Sequence, residues 1–89
     1  MKILQVIPTF GMGGAETMCQ GLCMQLHRMG HEVTAVSLSG DHTPLTEGLE
    51  AAGVPVRYLD KTLGSGFGCV GKLKALIRQE RPQVIHTHL

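Results

Sequence analysis

Ile3-Leu4-Gln5-Val6-Ile7-Pro8-Thr9-Phe10-Gly11-Met12-Gly13-Gly14-Ala15-Glu16 decides the fold. Its apolar, branched residues Ile3, Leu4, Val6 and Ile7 stop at Pro8, and glycines follow at 11, 13 and 14. Such a run, barely alternating, reads as a strand buried on both faces. A helix begins directly after the glycines. Strand, glycine loop and helix bring backbone N–H groups to the positive end of a helix dipole, an arrangement suited to an anionic, phosphate-bearing ligand.

Downstream of the loop, Ala15, Met18, Cys19, Leu22, Cys23, Leu26 and Met29 form one helical stripe, which predicts a helix over 15–29 with that face in the core. Gly30 supplies a left-handed C′ stop. Residues 32–38 read as a second strand. Thr43-Pro44 marks the start of a short helix, with Leu45, Leu49 and Ala52 facing inward and Gly53 closing it. The third strand covers 54–59, and Pro55 assigns it to a sheet edge because proline cannot donate to a ladder. Residues 60–69 read as the longest loop. Val70, Leu73, Leu76 and Ile77 mark a third helix that ends at Pro82, and residues 83–89 form a fourth strand.

The order βαβαβαβ predicts an α/β fold, a partial Rossmann-like, doubly wound parallel sheet with strand order 3-2-1-4. Ligands of such sheets bind at the carboxyl ends of the strands where the order reverses, here between the first and fourth strands. A last strand with nothing beside it leaves an apolar edge open, so the chain is expected to continue past Leu89.

Composition narrows the function. The 89 residues carry a net charge of +1, two Phe, one Tyr and no Trp, which argues against a nucleic-acid partner. No run approaches the ~20 apolar residues of a transmembrane helix, and the N-terminus does not read as a signal peptide. Cys19 and Cys23 read as packing residues, and a reducing, cytoplasmic setting is expected. The glycine pattern is not Gly-x-Gly-x-x-Gly, since Glu16 occupies the sixth position, and no P-loop lysine follows.

The candidate substrate- or diphosphate-binding residues are Gly13, Gly14, Glu16, Thr9, His88 and His86. Gly13 and Gly14 allow positive φ and close approach of a phosphate, or else merely turn the chain. Glu16 complements the helix dipole, accepts a hydrogen bond from an acceptor hydroxyl, or braces the loop. His86 and His88 share one face of the fourth strand. No third ligand accompanies them, so no metal is expected. One of them either lines the ligand cleft or serves a structural, hydrogen-bonded role, and His88, nearer the strand's carboxyl end, is the better placed for ligand contact. His27 and His31 suit the helix end they flank.

Met1-Lys-Ile-Leu-Gln-Val-Ile-Pro8, Gly11-Met-Gly-Gly-Ala-Glu16, Met29-Gly-His-Glu-Val-Thr-Ala-Val36, Glu50-Ala-Ala-Gly-Val-Pro-Val56 and Arg81-Pro-Gln-Val-Ile-His-Thr-His88 together resemble the start of glycosyltransferase family 4 enzymes with the GT-B fold. The resemblance spans essentially the whole chain. It implies that residues 1–89 form the first part of the N-terminal, acceptor-side domain of a retaining transferase. The C-terminal domain that binds the nucleotide-sugar donor would be absent from these residues, as would the family's active-site histidine. Activity from this portion alone is not expected, and the catalytic residues stay unassigned. The implied partners are a nucleotide-sugar donor, acting as co-substrate rather than cofactor, and a polysaccharide, glycolipid or small sugar-containing acceptor. Peripheral contact with a membrane and pairing of two copies through the open sheet edge are further expectations. The alternative is a non-catalytic nucleotide- or phosphate-binding module of Rossmann-like or flavodoxin-like type.

Overall fold

The computed structural model describes residues 1–11, 13–59 and 67–88. Met12, residues 60–66 and Leu89 lie outside the described residues. So does most of the expected 60–69 loop; its last three positions belong to a helix instead. The elements are β1 (Lys2–Ile7), α1 (Gly14–Arg28), β2 (Glu32–Ser37), α2 (Pro44–Ala51), β3 (Val56–Tyr58), α3 (Phe67–Glu80) and β4 (Val84–Thr87). The sheet is parallel in the order β3-β2-β1-β4, as the sequence predicts. β3 and β4 are shorter than expected at both ends, although the flanking Pro55, Leu59, Gln83 and His88 still hydrogen-bond the neighbouring strands.

Side-chain alternation along the strands divides the core into two layers. Ile7, Val33, Ala35 and Val56 meet Cys19 and Cys23 of α1 and Leu45 and Leu49 of α2. On the opposite face Leu4, Val6 and Val36 pack with Leu76 of α3. Parallel strands covered on both faces need a near-continuous apolar run, and that of β1 is broken only by Gln5.

Local chemistry sets the element ends. Thr43 and Thr46 form a reciprocal capping box at the start of α2: Thr43 Oγ1 accepts from the Thr46 N–H at 3.4 Å, and Thr46 Oγ1 from the Thr43 N–H at 2.9 Å. Gly30 and Gly53 both sit at φ +91°, the left-handed conformation that terminates α1 and α2. Pro55 lies just before β3, and its carbonyl accepts the Ala35 N–H at 2.9 Å, so the edge strand keeps its register without a proline donor. At the amino end of the sheet, Glu80 of α3 pairs with Lys2 of β1 at 3.2 Å and Arg57 of β3 at 3.3 Å.

Two expectations about packing are corrected. Ala52 is exposed, because the helix has already ended and residue 52 is its C-cap. Of the α1 stripe, only Cys19 and Cys23 are fully buried; Met18 and Met29 are 77% and 62% exposed, and Ala15 is exposed too. α1 packs toward β1, β2 and α2, so its flank nearer β4 has no layer opposite it. Among the described residues, no helix is long and apolar enough to cross a membrane.

Candidate functional site

A groove of about 630 Å³ opens at the carboxyl ends of β1 and β4, between them and the first turns of α1. This is where the strand order reverses, since β1 connects to β2 on one side while β4 arrives on the other. Thr9, Glu16, His86 and His88 all line it, together with Ile7, Pro8, Ala15, Met18, Leu22 and Thr87. Four of the six candidate residues therefore converge although they come from opposite ends of the chain.

Each polar group is held differently. Thr9 Oγ1 accepts the Gly11 N–H at 3.2 Å, which shapes the turn leaving β1. Glu16 is the third residue of α1, counted after the Gly13 N-cap, and its carboxylate folds back over Gly13. An acid in the first turn complements the helix dipole. His86 sits beside Gln5 in the β1–β4 register, and its ring centroid lies 4.2 Å from that of His88. His88 Nε2 is 2.6 Å from Gln5 Oε1, and its backbone N–H bonds the Val6 carbonyl at 2.8 Å. Burial holds the His88 imidazole below its ordinary pKa, and the neighbouring His86 adds to the effect. A low pKa leaves the ring neutral near pH 7, able to donate at one nitrogen and accept at the other.

Gly13 and Gly14 do not line the groove but stand next to it, at the start of α1. The expectation of positive φ is not met at Gly13, which is extended at φ −81° and ψ 175°. A Cβ there would meet the Glu16 carboxylate, the movable end of a flexible side chain. A Cβ on Gly14 would meet nothing within 4 Å, so its backbone faces open space.

Two lining residues and one residue next to the groove escaped the sequence reading. Met18 and Leu22 belong to the apolar stripe and were assigned to the core with it. Gln5, beneath the histidines, reads in the sequence only as an interruption of the β1 run, and a lone polar residue inside a buried strand was its signal. Elsewhere, Cys19 and Cys23 are buried thiols in contact; hydrogen bonding to Cys19 and burial push the Cys23 thiol up, which suits a neutral packing group. Among the described residues no group of three or more His, Cys, Asp or Glu could hold a metal ion.

Sheet order, helix layers and the groove at the reversal point define a Rossmann-like α/β fold with an open groove at the carboxyl end of the sheet. Within that class the sequence is specific: the family model of Glycosyltransferase Family 4 matches residues 12–89, and the chain belongs to that family. Its function is accordingly of the glycosyltransferase type, with sugar-containing substrates. Against the curated proteins, the chain has no match.

Proposed function

We propose that the β1–α1–β4 groove is the acceptor side of a retaining glycosyltransferase site that uses a nucleotide-sugar donor. The acceptor is a polysaccharide, a glycolipid or a small sugar. The supporting observation is the convergence of Thr9, Glu16, His86 and His88 on one groove in a chain of this family. Mixed lining suits a sugar, whose hydroxyls need donors and acceptors while its C–H faces rest on apolar surface such as Met18 and Leu22.

In this reading the donor diphosphate approaches the start of α1 at Gly14, where the backbone is open. Backbone N–H groups fixed there offset charge on the departing diphosphate without reorganising. The Glu16 carboxylate opposes a second negative charge, and from a residue that lines the groove it is better used on acceptor hydroxyls. Residues 1–89 form the first part of the acceptor-side domain, and the nucleotide is held by residues other than these.

Amide hydrogen exchange of the chain, alone and with a panel of methyl hexosides or inorganic pyrophosphate, tests this. Slowed exchange over residues 8–16 and 84–88 with at least one hexoside is expected. A response to pyrophosphate alone would favour a phosphate-binding module, and no response to any hexoside would overturn the acceptor reading.

A further inference from the structure

Gln5 lies next to the groove and has no part in the function proposed above. It is 2% exposed in the middle of β1, a position that alternation places on the α1 side of the sheet, as its register partners Ala35 and His86 also are. A buried carboxamide is costly unless hydrogen-bonded, and an apolar residue would fill the same strand position without that cost. Its partner is the imidazole of His88, at 2.6 Å between Gln5 Oε1 and His88 Nε2. A carboxamide oxygen only accepts, so the hydrogen of this bond belongs to His88 Nε2. In a neutral imidazole the other nitrogen, Nδ1, is then bare and accepts. That ring lines the groove, where the remaining titratable groups are His86 and Glu16.

We propose that Gln5 is a positioning residue: it fixes His88 as the Nε2–H tautomer, so that Nδ1 accepts a hydrogen bond from a hydroxyl of the sugar-containing ligand in the groove. The ligand half of this inference rests on the acceptor reading above; the tautomer half does not. The neighbouring His86 ring acts in the same direction. Two imidazoles 4.2 Å apart disfavour a second charge, and a neutral His88 keeps the acceptor lone pair that protonation would remove.

Long-range ¹⁵N–¹H correlation spectra of the histidine rings of the labelled chain at pH 7 report the tautomer directly. His88 is expected to show the Nε2–H pattern in the wild type. In Gln5→Leu, which keeps the strand apolar and of similar bulk, the pattern should relax to a tautomer mixture. Gln5→Glu, a second variant, sets a carboxylate beside the ring and should raise the His88 titration midpoint above that of the wild type. An Nδ1–H pattern in the wild type, as a reversed carboxamide would impose, overturns the proposal. So does an Nε2–H pattern that survives unchanged in Gln5→Leu. Titrating the same samples with the hexoside that slows exchange best should show about fivefold weaker binding in Gln5→Leu, the value of roughly one net hydrogen bond. Equal affinity despite an altered tautomer overturns the ligand half. Absence of binding to both proteins refutes the acceptor reading while leaving the tautomer result to stand or fall by itself.

Discussion

β3 and β4 both border the sheet, yet they meet opposite surroundings. Val56 of β3 is buried against α2 and its neighbours, and Val54 and Leu59 on either side of the strand are buried as well. Val84 and Ile85 of β4 are 41% and 43% exposed, and every residue of that strand is exposed. Both strands are rich in apolar residues, so composition does not separate them. Cover does: α2 closes over the β3 side, whereas the α1 flank stands apart from the Val84 and His86 face of β4 and leaves the groove, and Ile85 on the opposite face is exposed as well. One edge therefore carries stability, and the other carries the residues with ligand chemistry.

Substitutions that respect or cross this division should differ widely in effect. Leu49→Ala opens a hole in the α1–α2 layer, where Leu49 is fully buried, and should cost about 3 kcal/mol in urea unfolding. A loss below about 1 kcal/mol would mean that the β3 side is not the packed half.

Gly13→Ala comes next, at about 1 kcal/mol, since alanine is a poorer N-cap than glycine and its Cβ meets the Glu16 carboxylate. The same change in a Glu16→Ala background should cost less. Equal costs in both backgrounds would remove the carboxylate from over Gly13.

Glu80→Gln is smaller still, about 0.5 kcal/mol, because Lys2 and Arg57 are partly solvated at 33% and 51% side-chain exposure. The hydrogen bond from Lys2, then the one from Arg57, holds the Glu80 carboxyl below its ordinary pKa. A depressed folded-state pKa contributes stability that is present above the ordinary carboxylate range and lost as pH falls through the lowered value. Wild type and Glu80→Gln should therefore differ at neutral pH and converge below about pH 4. A gap that persists in acid would contradict the ion-pair account.

Ile85→Thr, on the open strand, should change stability by no more than about 0.5 kcal/mol. A large loss would show that something covers β4 in solution.

Much of this division was readable in the sequence. Pro55 placed β3 at an edge, Gly30 and Gly53 marked the helix ends, and the switch point followed from the strand order. Met18 was not readable as a groove residue. Helical periodicity reports that a face is apolar, not which flank of it a neighbouring element reaches, and β4 offers α1 no layer to close against. The conformation of Gly13 was not readable either: a glycine allows positive φ without requiring it, and Gly13 is the extended N-cap of α1. Gln5 needed its partner from residue 88, and no local pattern links positions so far apart in the chain.

The central claim, that the open side binds sugar and the packed side does not, is tested most directly by a methyl- and histidine-resolved NMR titration with methyl hexosides. Met18, Leu22, His86 and His88 should shift together and saturate, while Leu45 and Leu49 stay still. Shifts confined to the α2 side, or a groove silent to every hexoside, would contradict it.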